Sequence, residues 1–170
     1  MIRLIGALLL AGGASLLGIL AAAQLDRRVR SLRAMLGALE LLERELSFRL
    51  TPMPALLSTL AKRSPAPVNA FFAHCLAGMG ALGEKTLGDL WDEALESVPM
   101  DFHEEEKQAL RELGGVLGRY DGEGQRDSLG LARAQLEQYL MAAGDERNRM
   151  GRVYRMLGLS SGAILVILLL

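Results

Sequence analysis

One cysteine, one tryptophan and two histidines occur among 170 residues, and aromatic side chains make up only 5% of the chain. A lone thiol, Cys75, excludes an internal disulfide and a cysteine-built metal cage. The net charge is −1, from 19 Lys and Arg against 20 Asp and Glu. That leaves no basic excess on the scale that nucleic acid attracts. Runs of β-branched and aromatic residues, which build sheets, are also scarce. What remains is rich in Leu and Ala, and 51% of residues are hydrophobic. Such a composition favours helices.

The apolar residues gather at the two ends. From residue 4 to 23 there is no charge, and Ser15 is the one strong polar group. Twenty helical residues reach about 30 Å, the thickness of a bilayer core. A cleaved leader is the alternative reading, because Ala21 and Ala23 form a small-x-small site; the product would be an exported helical binding protein cleaved after Ala23. The run is longer than the apolar stretch of most leaders, and Arg27, Arg28, Arg30 and Arg33 follow at once. Residues 156–170 also lack charge. Alone they span about 22 Å as helix. Starting from Val153, with Arg155 reaching back toward water, the segment approaches spanning length. Arg147, Arg149, Arg152 and Arg155 precede it, so each apolar run carries a basic collar on its inner side. Cytoplasmic flanks are the basic ones, which predicts a hairpin: two transmembrane helices and a cytoplasmic domain between them. Arg3 is the one charge against this orientation. The expected division is residues 1–25, 26–152 and 153–170.

The middle reads as successive amphipathic helices. Leu32, Met35, Leu36, Leu39, Leu42, Leu46 and Leu50 fall on one helical face. Thr51 and Pro52 suit the start of a second helix from Met53 to about Lys62. Pro67 opens a third. Thr86 caps a fourth, with Leu87, Leu90, Trp91, Ala94, Leu95 and Val98 on one side, so Trp91 should be buried. A fifth runs through 101–120, capped by Asp101 or a neighbour. The last starts near Arg126 or Asp127, and its seam passes Leu129, Ala132, Leu136, Tyr139, Leu140, Ala143 and Met150 into the apolar end, toward Tyr154 and Leu157. The fold class predicted is all-α: an antiparallel bundle of about six helices between two transmembrane helices.

No chemistry-bearing constellation emerges. "HEEE" at 103–106 has one His and no second at helical spacing, and three carboxylates in a first turn suit the positive end of a helix. The glycines of "GRYDGEGQ" lack the Gly-Lys-Ser/Thr of a phosphate loop and follow no strand. His74 and Cys75 are adjacent, so on a helix they diverge by about 100°. No catalytic, cofactor-binding or metal-binding residue is expected, nor any cofactor, and the chain reads as a scaffold.

The order of these features resembles the stage III sporulation protein AB family. The resemblance rests on the N-terminal apolar helix, "ALELLERELSFRLTPMPALL", "LGRYDGEGQ" and the terminal "YRMLGLSSGAILVILLL", and it covers essentially the whole chain. Where the family has Ser-Asp after Leu-Gly-x, Tyr120 precedes Asp121 here. The resemblance implies a soluble domain similar to the cytoplasmic domain of the general secretion pathway F and type IV pilus platform proteins. It also implies a place in the complex between mother cell and forespore, in the mother-cell membrane around the forespore. Implied partners are a secretion-type ATPase and other membrane proteins of that complex, with further copies of the chain possible.

Three groups of residues follow as expected surfaces. Arg119, Asp121, Glu123 and Gln125, in the turn before the last helix, form an exposed loop suited to a partner. Ala11, Ser15, Gly158 and Gly162 are small residues for close packing of membrane helices. Arg27, Arg28, Arg30, Arg33, Arg147, Arg149, Arg152 and Arg155 form collars against anionic headgroups.

Overall fold

The computed structural model describes the backbone of residues 2–48, 51–81, 83–117 and 122–169; side chains are described for 20–47, 51–81, 83–117, 124–151, 153 and 156. Among these the fold is all-α with no strand. The helices are α1 (Ile2–Phe48), α2 (Met53–Arg63), α3 (Val68–Gly78), α4 (Leu87–Ser97), α5 (Glu104–Val116) and α6 (Gly122–Leu169). A short 3-10 turn, Met79–Ala81, follows α3.

Six helical segments lie in the charged middle, as expected, yet the first and last are not separate elements. No break occurs at residue 25. Nothing in "AAAQLDRRVRSLRAML" stops a helix: there is no Pro, no Gly and no cap, so α1 runs on. α6 is likewise continuous with the C-terminal apolar run. The chain divides into two compact units, residues 1–27 with 142–170, and residues 28–141. Among the described residues no helix is long and apolar enough to cross a membrane. The apolar runs at 4–23 and 156–170 fall almost wholly on side chains outside the described residues, as do Ala11, Ser15, Gly158 and Gly162.

In the unit of residues 28–141, α1 and α6 are antiparallel. Arg133 of α6 pairs with Glu43 and, at 3.3 Å, with Glu40; Arg126 donates to the Ser47 carbonyl at 3.2 Å. α3 packs against α2 and α4, and α4 against α5. The α1 face is buried through Leu32, Met35, Leu36, Leu39 and Leu42; α6 contributes Leu129, Ala132 and Leu136. Each fully buried leucine contributes about 1.5–3 kcal/mol.

Trp91 is buried, as its helical phase predicts, with 1% of its surface exposed. Phe71 and Phe72 meet it edge-on at centroid separations of 4.8 and 5.9 Å. That geometry places positive ring edges on negative ring faces. Gly114 of α5 lies against the indole, and Gly88 of α4 faces the Gly114 carbonyl, so these helices meet backbone to backbone.

The helix ends repay comparison. Thr86 caps α4 as expected: its Oγ1 accepts from the Asp89 N–H, and Asp89 accepts from the Thr86 N–H in return. Thr51 does not cap α2. Its hydroxyl donates to Glu45 at 2.9 Å, and Pro52 precedes the helix instead. α5 starts after His103 rather than at Asp101, which sits in the left-handed region at φ 57° where the chain turns from α4. Asp tolerates that region better than most residues. α5 ends at Val116, four residues short of the expected stop, and α6 begins at Gly122, four before Arg126. Of the α6 seam, Ala143 is buried, Tyr139 and Leu140 are half-buried, and Met150 is 38% exposed, which removes it from the seam. Tyr154 and Leu157 lie outside the described side chains.

Candidate functional surfaces

The expected docking turn falls largely outside the described residues. Arg119 and Asp121 lie there, as does the side chain of Glu123; Gln125 is half-buried in the first turns of α6. Of the basic collars, Arg27, Arg30 and Arg33 are exposed on α1 at three-residue spacing, and Arg147 and Arg149 are exposed on α6. Arg147 pairs with Asp26 at 3.4 Å, both within the unit formed by the two chain ends. The side chains of Arg152 and Arg155 lie outside the described residues.

Arg28 is a correction. It is only 7% exposed, so it is not available to a headgroup. Its guanidinium donates to Glu106 Oε1 through Nε at 3.0 Å and Nη2 at 2.6 Å. Glu106 is completely buried, and its Oε2 accepts from the His103 N–H at 2.8 Å. One carboxylate thereby closes the first turn of α5 and holds α1. Ionised donors and acceptors make the shorter and stronger hydrogen bonds. In sequence, Glu106 belongs with Glu104 and Glu105 to one acidic first turn. All three do lie in that turn, but Glu106 faces inward.

Helical phase carries the signal for this pair. Arg28 shares a face with Leu32, Met35 and Leu39 at spacings of four, three and four. Glu106 precedes Ala109, Leu110 and Leu113 on the buried face of α5. An ionisable residue in phase with a core face, on each of two helices, is the pattern to look for. Charge alone would place both side chains at the surface.

A second charged surface covers α4 and α5. Asp89, Asp92, Glu93 and Glu96 are exposed on α4. Lys107 reaches Glu104 at 3.2 Å and Glu96 at 3.7 Å, while Arg111 pairs with Glu96 and, at 3.6 Å, with Glu104. The hydrogen bond from Lys107 lowers the pKa of Glu104, and the bond to Glu96 raises that of Arg111. Asp92 is pushed up, first by partial burial and then by neighbouring Asp89 and Glu96, against the pull of Arg111. Among the described residues no three His, Cys, Asp or Glu side chains gather as metal ligands would. Cys75 is buried, and its Sγ lies 3.8 Å from the Leu90 carbonyl. Burial pushes its thiol from 9.0 up to about 12, so it is poorly suited to nucleophilic work. His74 beside it is half-buried.

The residues thus form a helical scaffold with charged outer faces. The family described as stage III sporulation protein AB matches residues 3–170. The chain belongs to that family. Stage III sporulation protein AB of Bacillus subtilis (strain 168) is 25% identical over 172 residues, covering 100% of both chains. A solved structure of stage III sporulation protein AB superposes with a TM-score of 0.67 at 25% identity, covering 72% of this chain and 98% of that one. Family membership places the chain among sporulation proteins.

Proposed function

We propose that the chain is a non-enzymatic membrane platform of a secretion-like channel complex between mother cell and forespore, needed for endospore formation. In this reading it sits in the mother-cell membrane around the forespore, with the charged middle in the cytoplasm. There it links a secretion-type ATPase to the membrane assembly. The observation that carries the reading is the family match, which runs the whole length of the chain and takes in both apolar ends. The structure adds support. α1 and α6 each continue without interruption from the charged unit into an apolar run. The small-residue site at 21–23 lies within a continuous helix, which favours a retained anchor over cleavage after Ala23. Arg27, Arg30 and Arg33 present a basic stripe suited to anionic headgroups, at about 1 kcal/mol each near the surface.

Two measurements test this. Single cysteines at positions 2, 60 and 170, in a Cys75→Ser background, should be accessible outside, inside and outside respectively. A mature chain lacking its first 23 residues would instead establish the exported form. For the partner, a pull-down with the cognate ATPase should weaken when Arg119→Glu is combined with Glu123→Arg. If folding and binding both persist, the docking surface lies elsewhere, and Glu104 with Glu105 is the next place to test.

A further inference from the structure

α4 and α5 are closed in the same way but in different surroundings. In each, a carboxylate in the first turn reaches back to the N–H of the capping residue: Asp89 to Thr86, and Glu106 to His103. Thr86 and Asp89 are exposed, so water reaches the Asp89 carboxylate directly. Glu106 is completely buried. Its Oε2 accepts from the His103 N–H, and its Oε1 takes both bonds from the Arg28 guanidinium of α1. The charge that closes the first turn of α5 is thus compensated from another helix.

We propose that Arg28 is a remote part of the α5 cap, so that the first turn of α5 stays wound only while α1 holds its guanidinium against Glu106. A buried carboxylate that loses its partner is strongly unfavourable. Glu106 sits in the first turn of α5, so unwinding that turn alone carries its carboxylate into water and relieves part of the cost. Helix ends open at far smaller cost than a whole domain unfolds. Release through one turn therefore wins over global unfolding. Glu104 and Glu105, exposed in the same turn, move with it. So does the Lys107 N–H, which donates to the His103 carbonyl at 3.0 Å. The seat of α1 thereby sets the form of a charged surface on α5.

The test is amide hydrogen exchange in the full chain, ¹⁵N-labelled in detergent micelles. The His103 N–H reports the cap and the Lys107 N–H reports the first turn. The Val98 and Leu117 N–H groups, which donate to Ala94 and Leu113 at the far ends of α4 and α5, report general loosening. Arg28→Met removes the charge and keeps a long apolar side chain. His103 and Lys107 should then exchange at least about tenfold faster than in the wild type, with Val98 and Leu117 changed by less than about threefold. Adding Glu106→Gln to Arg28→Met leaves an uncharged acceptor for the His103 N–H, and both amides should slow again by at least about threefold. A packing role for Arg28 would not be rescued by that second change. Equal acceleration of all four amides overturns the proposal, as does unchanged exchange at His103 and Lys107. A double variant as fast as Arg28→Met overturns it too. So does an Arg28→Met chain that fails to fold, because the loss is expected to stop at one turn.

Discussion

Replacing Gly114 by Ala should destabilise the chain, although alanine is the better helix former. A Cβ at position 114 would lie 2.6 Å from both Cδ1 and Cγ of Trp91 and 3.0 Å from its Cβ. Ordinary contact begins near 3.4 Å, so the new methyl is about 0.8 Å too close to a rigid ring. The ring has little room to yield, since Phe71 and Phe72 meet it edge-on. Parting α4 from α5 would in turn pull Gly88 from the Gly114 carbonyl. Overpacking of this kind costs about 1–3 kcal/mol, against a propensity gain of about 1 kcal/mol. A net loss of up to about 2 kcal/mol is expected, with the melting temperature falling by up to about 8 °C for a chain of this size. Two controls isolate the contact. Gly37 has nothing within 4 Å of its would-be Cβ, so Gly37→Ala should stabilise by up to about 1 kcal/mol. In a Trp91→Ala background, Gly114→Ala should cost nothing, because the ring it strikes is gone. Circular dichroism melts of the four variants suffice. If Gly114→Ala alone raises the melting temperature as Gly37→Ala does, the reasoning about α4–α5 contact is wrong.

Trp91→Ala should cost about 3–5 kcal/mol by opening a cavity between the phenylalanines, and a loss below about 1 kcal/mol in chemical denaturation would contradict its burial. Arg28→Ala should cost about 3–5 kcal/mol, since it strands the Glu106 carboxylate in the core; the same assay checks it. The Cys75 thiol holds its proton more tightly folded than unfolded, so its contribution to stability is complete below pH 9.0 and drains away as pH rises toward about 12. Cys75→Ala should flatten the alkaline limb of the stability curve over that window, and maleimide should label Cys75 only after unfolding.

Much of this architecture was legible in the residues. The spacing of apolar positions on α1 and α4, the Thr86 cap, and the prolines before α2 and α3 each act locally and fix their elements without help from elsewhere. The differences come where two side chains compete for one helix end. Thr51 has the right chemistry for a cap but donates to Glu45 on the preceding helix. For α5, expected to be capped by Asp101 or a neighbour, the first helical turn follows His103, whose N–H Glu106 satisfies. Composition changes within α1 and α6, yet composition does not end a helix; a Pro, a Gly in the left-handed region or a cap does. Arg28 shows the limit most clearly. Four arginines in seven residues look like a solvated collar, and only the helical phase that Arg28 shares with Leu32, Met35 and Leu39 tells it from the other three.

The partner of Arg28 arrives late. Arg28 and Glu106 are 78 positions apart, which at ordinary rates of bacterial synthesis is about 4–16 s. During that interval the new helix carries a guanidinium that belongs inside a core not yet made. Helices α2 to α5 each pack on the next in sequence, so they can assemble as they emerge from the ribosome. α1 must wait for them and for α6, the last element to appear. The first part of the chain to be made is therefore among the last to be seated.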